Sequence, residues 1–190
     1  MNIVLASGSP RRKELMEMLG VKNLRIIPAK GEERPPENAA PEDLVMALAA
    51  AKAREVAAVC GKDDLVIGAD TIVWYEDRPF GKPHSRQHAM DMLRMLSGRT
   101  HRVYTGVAIV KDGQLHTGCE ESSVRFRTLT EEEIQRYVDT GEPMDKAGAY
   151  GAQGKGALFV EGIEGDFFNV MGLPLCRLGQ MLKEQGVEIL

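Results

Sequence analysis

Leu65-Val-Ile-Gly-Ala-Asp-Thr-Ile-Val73 reads as a buried strand with a carboxylate set into it. Leu65 to Ile67 lead in, Ile72 and Val73 follow, and β-branched residues with a Gly between them are the mark of a short core strand. Asp70 is then expected near the end of that strand. A carboxylate there is costly unless it has partners or work to do. In open α/β sheets, sites gather at strand ends, so the other candidate groups along the chain are expected to converge on Asp70. A second reading makes Asp70 a turn cap, since Asp is common at such positions.

The bounds agree with an α/β domain. A chain of 190 residues with 43% apolar content forms one ordinary domain, or two small lobes sharing a sheet, with a proper core. The net charge of -4 and a pI of about 5.7 argue against a general nucleic-acid binder, which carries a basic face. Aromatics make up only 5%, too few for a stacking platform. Cys60, Cys119 and Cys176 are odd in number and far apart, so neither a zinc site nor a disulfide framework is indicated. Reduced thiols point to the cytosol. Ile3 to Ala6 is the only apolar run at the N-terminus and the Arg pair follows it, unlike a signal peptide. No run approaches the roughly 18 apolar residues of a membrane span.

Asn2 to Ala6 reads as the first strand, and Ser7-Gly-Ser-Pro-Arg-Arg-Lys-Glu-Leu15 follows it. Ser9 is placed as a helix N-cap with Pro10 at the first helical position, and Gly20 closes the helix. A strand that turns into a helix N-terminus favours an anion. Arg11, Arg12 and Lys13 sit in the first turn, the wrong end for cations, because they oppose the helix dipole. As a solvated face they carry a small penalty; as a phosphate clamp they carry none. There is no Walker A sequence, so the chain is not a P-loop NTPase.

Leu24 to Pro28 reads as a second strand, and Lys30 to Ala40 as a polar loop in which Glu32 and Glu33 are either solvated or hold a hard cation. Pro41 to Val59 is an Ala-rich helix whose Lys52 and Arg54 read locally as a charged face. Tyr75 to Arg78 is a turn, Lys82 is framed by Gly81 and Pro83, and Ser85 to Leu96 is a helix. Thr100 to Lys111 and Gln114 to Arg127 form a hairpin about Asp112-Gly113. His101 reads as a satisfied structural histidine. Thr130 and Glu133 form a capping box for a helix from Glu131 to Asp139. Thr140 to Gly156, with five glycines and Asp145, Lys146, Tyr150 and Gln153, is a loop long enough to be functional or mobile. Ala157 to Ile163 is a last strand, and Gly172-Leu-Pro174 opens a terminal helix ending near Gln185.

Taken together, Leu5-Ala-Ser-Gly-Ser-Pro-Arg-Arg12, Gly68-Ala-Asp-Thr71, Gly81-Lys-Pro83, Leu96-Ser-Gly98, Tyr104-Thr-Gly-Val107, Gly141-Glu-Pro143, Asp145-Lys-Ala-Gly148, Gln153-Gly154 and Asn169-Val-Met-Gly-Leu-Pro174 resemble the Maf family of nucleotide pyrophosphatases. The blocks run in order from residue 5 to about 175, nearly the whole chain, and imply a single domain over residues 1–190. The resemblance implies an α/β fold like the inosine triphosphate pyrophosphatases: a mixed twisted β-sheet flanked by helices, with two lobes and a central cleft. It implies hydrolysis of nucleoside triphosphates to monophosphate and pyrophosphate with a divalent cation, Mg²⁺ or Mn²⁺. It also implies a cytoplasmic homodimer with no nucleic-acid or membrane partner.

By the same resemblance Asp70 is the proton acceptor, Ser7, Arg12, Lys52 and Lys82 line the phosphates, and Glu33 joins Asp70 at the metal. Arg12, Thr71 and Gln153 fall where the family sets base preference, and all three follow the branch that prefers dTTP and UTP. Lys13 stands where many members carry another Arg. The family's link to septum formation and cell-division arrest gives an alternative, a nucleotide-binding regulator with slow turnover. Triphosphate hydrolysis is mostly positioning and charge neutralisation, which suits these cations. Gln153 can both donate to and accept from a pyrimidine edge, and its glycine-rich loop is expected to close over the base.

Overall fold

The computed structural model of the chain describes residues 2–21, 23–32 and 34–190. Seven strands, β1 (Ile3–Leu5), β2 (Leu24–Ile26), β3 (Leu65–Tyr75), β4 (Arg78–Phe80), β5 (Thr100–Lys111), β6 (Gln114–Phe126) and β7 (Val160–Glu164), form one mixed sheet. Its order is β2-β1-β3-β5-β6-β7, with β4 paired to β3. Six helices accompany it: α1 (Pro10–Met18), α2 (Pro41–Ala57), α3 (Arg86–Leu96), α4 (Glu131–Asp139), α5 (Phe167–Met171) and α6 (Leu175–Glu184). The chain divides into two compact units. The first holds residues up to Asp70, Thr105–Glu120 and Gly172–Leu190; the second holds Thr71–Tyr104 and Glu121–Met171.

In the first unit β1 lies parallel to both β2 and β3, with Leu5 opposite Ile26 and Ile67. Its core is built from small residues. Ala49, Ala50 and Ala53 of α2 pack on Val4, Val66 and Ala108. Two glycines bring α2 closer still. A Cβ on Gly68 would stand 2.3 Å from the Ala49 carbonyl oxygen, and one on Gly106 would stand 2.3 Å from that of Val45. The helix thus lies on the sheet at a spacing that no alanine at 68 or 106 allows.

The second unit has a core of larger side chains. Phe126, Tyr150, Phe159, Tyr137 and His101 meet edge to face, with ring centroids 4.7–6.0 Å apart, an arrangement worth more than its buried area alone. The capping box of α4 is present as expected: Thr130 Oγ1 accepts from Glu133 N–H, and Glu133 accepts from Thr130 N–H. Ser85 caps α3 by accepting from His88 N–H. Asp112 and Gly113 both take positive φ and close the β5–β6 hairpin.

Several expectations are corrected. β3 runs eleven residues, so Asp70 is in mid-strand and not near its end. Thr71 to Tyr75 are all residues that fit a pleated surface, and β4 gives them an antiparallel partner, Val73 opposite Phe80. β4 itself reads as a loop in the sequence because Pro79 lies within it; an edge strand tolerates that proline. β7 begins at Val160, not Ala157, since Lys155–Phe159 form a 3-10 turn. α5 was not anticipated, being only five residues long. The stretch from Thr140 to Gly156 is not an open loop. Glu142–Asp145 and Ala147–Ala149 are 3-10 turns, and Gly148 to Gly151 are buried. Among the described residues no helix is long and apolar enough to cross a membrane.

Candidate active site

Asp70 is 8% exposed and sits three residues beyond the last β1–β3 pair, Leu5 opposite Ile67. Because the two strands are parallel, Ser7, two residues past the end of β1, lies near the same level of the sheet as Asp70, where β1 stops and β3 continues. That is the edge where α/β sheets bind ligands. The partner that makes a buried carboxylate tolerable comes from α2: Lys52 Nζ donates to Asp70 Oδ1. Lys52 is therefore not part of a solvated charged face. It falls on the buried stripe with Leu48, Ala49, Ala53 and Val56, and the close approach at Gly68 brings its ammonium to the strand. Arg54 does lie exposed, as the charged-face reading has it. The Asp70 and Lys52 side chains keep 11% and 19% of their surface, enough to meet a ligand.

The second constellation is at the start of α1. Ser9 occupies the N-cap, but its side chain makes no capping hydrogen bond, which corrects the sequence expectation. The hydroxyl in use is that of Ser7. Ser7 Oγ accepts from Ser9 N–H at 3.3 Å and from Arg12 Nη1 at 3.1 Å. Arg12 Nε donates to the carbonyl oxygen of Gly172 at 2.7 Å. Two contacts on different atoms fix the plane of the guanidinium, the group suited to a bidentate phosphate. No acidic residue stands in the first turn of α1. The helix start thus presents Arg11 and Arg12 together with the positive end of its dipole, while Lys13 pairs with Glu17 at 3.6 Å along the helix.

Ser7, Arg12, Lys52 and Asp70 belong to the first unit; Thr71, Lys82 and Gln153 belong to the second. Thr71 is half-buried and follows Asp70 in β3, where successive side chains point to opposite faces. Lys82 is exposed in the segment after β4, and among the described residues it has no hydrogen-bond or ion-pair partner. Its frame is real: Gly81 O accepts from Gly148 N–H at 3.1 Å, and Pro83 is buried. Gln153 is exposed. Glu33 lies outside the described residues. Glu32 is exposed and pairs at 3.4 Å with an exposed Arg34, a solvated pair.

Three residues that sequence reasoning missed support these groups. Gly172 supplies the carbonyl that holds Arg12. Glu55 accepts backbone N–H groups from Lys30 and Gly31 at 2.7–3.1 Å and so fixes the base of the acidic loop. Glu142 does the same for the Gln153 segment. Gly172 and Glu142 lie inside motif blocks, but nothing in the residue pattern distinguishes a carbonyl acceptor or a loop anchor. His101 is 2% exposed within the aromatic core and its Nε2 lies 2.7 Å from Tyr150 Oη, but its Nδ1 is buried without a hydrogen-bond partner among the described residues, so the expectation of a satisfied histidine holds at one ring nitrogen only; burial pushes its pKa down to about 3.

A mixed sheet with a buried lysine–carboxylate pair in the middle of β3 and an arginine held at the start of α1 offers a site suited to a polyanion. Residues 2–185 match the family described as Maf-like protein, and the chain belongs to that family. It is 51% identical over 187 residues to a dTTP/UTP pyrophosphatase of Bacillus anthracis, covering 98% of this chain and 97% of that one. A dTTP/UTP pyrophosphatase of Bacillus thuringiensis subsp. konkukian is likewise 51% identical over the same lengths. Among solved structures, a HAM1 protein from Coxiella burnetii has a similar fold. Its TM-score is 0.53 at 18% identity, over 97% of this chain and 99% of that one.

Proposed function

We infer that this chain hydrolyses dTTP and UTP to the nucleoside monophosphate and pyrophosphate. The observation that carries the reading is the Lys52–Asp70 pair together with the Ser7–Arg12 clamp, in a chain 51% identical to dTTP/UTP pyrophosphatases along nearly its full length. Asp70 takes a proton from a water molecule whose oxygen forms a bond to the α-phosphorus. The bond from that phosphorus to the α–β bridging oxygen breaks, and pyrophosphate leaves with its electron pair. Lys52 holds the carboxylate in place and adds positive charge, and Arg12 with Ser7 receives the phosphate oxygens. Lys82, exposed and without a partner among the described residues, is a further cation for the leaving group. Thr71 and Gln153 are assigned to the base.

The donor set fits a hard divalent cation of one kind only. Among the described residues no three His, Cys, Asp or Glu side chains gather into a cage, and Lys52 occupies Oδ1 of Asp70. That leaves Oδ2. One or two carboxylates with waters and substrate phosphate oxygens is how Mg²⁺ is commonly held. Asp70 and, by family resemblance, Glu33 would hold Mg²⁺ or Mn²⁺, which would neutralise phosphate charge and make the bound water more acidic. Cys60, Cys119 and Cys176 are in no disulfide, which with the resemblance supports a cytoplasmic protein, and the resemblance alone supports a homodimer.

The test is product analysis. Purified protein with dTTP and either cation is expected to yield dTMP and pyrophosphate. Formation of dTDP and phosphate overturns the reading.

A further inference from the structure

The segment that carries Gln153 is an arch with both feet on one pair of side chains. Before Gln153, Gly151 N–H donates to Tyr137 Oη at 3.1 Å. After it, Lys155 N–H donates to Glu142 Oε2 at 3.0 Å and Gly156 N–H to Glu142 Oε1 at 3.2 Å. Tyr137 Oη joins the two feet by donating to Glu142 Oε1 at 2.9 Å. Between them Gly154 passes so close that a Cβ there would lie 2.4 Å from Glu142 Oε1. Glu142 is itself tied down, since Lys146 Nζ donates to its carbonyl oxygen at 2.7 Å.

Three donors converge on one carboxylate, and an ionised carboxylate is the side chain that can accept from all of them. Burial pushes the Glu142 carboxyl up, but Lys155 N–H, Tyr137 Oη, Gly156 N–H and the Lys146 charge outweigh it and hold it below its ordinary range. The arch is therefore a built element with a fixed shape, where the sequence suggested a flexible lid. Ala152, which packs against the core, and Gln153, which is exposed, lie between its feet.

We propose that Glu142, acting with Tyr137, is a positioning residue that sets where Gln153 meets the base and thereby sets the preference for pyrimidine triphosphates. The proposal rests on the reading of Gln153 as a base-facing residue. Glu142 touches neither phosphate nor water in this scheme. Its loss moves base discrimination and leaves the chemistry at Asp70 as it was.

Glu142→Gln replaces one acceptor oxygen by an NH₂ that faces backbone donors, so the arch shifts. The test measures kcat/KM for dTTP, UTP and dGTP on the wild type, Glu142→Gln, Gln153→Ala and the double variant. Thermal unfolding is followed for each. Loss of a well-made hydrogen bond to the base predicts a fall of about ten-fold for dTTP and UTP in Glu142→Gln, with dGTP changed less than about two-fold. In the Gln153→Ala background, Glu142→Gln should then change nothing further, because its effect passes through Gln153. Tyr137→Phe, which removes only the bridging hydroxyl, carries the same expectation in smaller degree and serves if Glu142→Gln does not fold. An equal fall for all three substrates means a merely structural role and overturns the proposal. If Gln153→Ala loses pyrimidine preference while Glu142→Gln and Tyr137→Phe keep it, the positioning role alone fails. If Gln153→Ala keeps the preference, the base-facing reading fails and the proposal with it.

Discussion

Replacing Gly68 by alanine tests how the fold builds the site. The added methyl would lie 2.3 Å from Ala49 O, 2.9 Å from Ala53 N and 3.0 Å from Ala53 Cβ, where ordinary contact begins at 3.4 Å. Two of those atoms are helix backbone and cannot swing aside, so α2 must retreat by about 1 Å in a close-packed interior. Overpacking of this kind costs about 1–3 kcal/mol. The gain from removing a strand glycine, roughly 0.5–1 kcal/mol, offsets part of it. The expected net loss lowers Tm by about 2–8 °C for a domain of this size. Lys52 lies between Ala49 and Ala53 and moves with them, which stretches its bond to Asp70. A misplacement of about 1 Å near reacting groups costs on the order of a hundred-fold in rate. The assay is kcat for dTTP alongside a thermal melt. A Gly68→Ala protein that keeps both its Tm and its kcat refutes the claim that this close approach places Lys52.

Arg12→Lys removes both the Nε bond to Gly172 O and the Nη1 bond to Ser7 Oγ, and kcat/KM for dTTP is expected to fall about ten-fold or more; unchanged steady-state constants contradict the clamp. Gln153→Glu puts an acceptor-only group where the amide both donates and accepts, so dTTP and UTP kinetics are expected to fall about ten-fold while a purine triphosphate falls less. His101 is neutral when folded, with its pKa pushed down to about 3 by burial, whereas the unfolded chain takes up the proton below about 6.5. The stability it contributes is whole above pH 6.5 and is lost as pH falls from there toward 3, at about 1.4 kcal/mol per pH unit. Urea midpoints of wild type and His101→Gln should therefore draw together between pH 7 and 4.5, and a constant gap contradicts this.

Much of this was legible in the residues. The β-branched run around Asp70, the Thr130 and Glu133 capping box, and the Asp112-Gly113 turn are local signals, and local physics decided them. The sequence also held a clue to Lys52 that its charge obscured. It is four residues from both Leu48 and Val56, on the apolar stripe of α2, where a lysine needs a buried partner. What escaped was non-local. β3 continues past Asp70 with strand partners, β5 and β4, that the local residues do not announce, and nothing near Arg12 reveals that its acceptor is the carbonyl of Gly172, 160 positions away. The glycines of 140–156 suggested mobility. In the structure Gly151, Gly154 and Gly156 instead make room for Lys146, Glu142 and Tyr137.

The central claim is that Asp70 directs a water molecule at the α-phosphorus. Hydrolysis of dTTP in ¹⁸O-labelled water, read by the isotope shift in phosphorus NMR, tests it directly. The account predicts one ¹⁸O in dTMP and none in pyrophosphate, with Asp70→Asn folded but unable to produce either. Label appearing in pyrophosphate, or an Asp70→Asn protein that turns over dTTP at the wild-type rate, would contradict it.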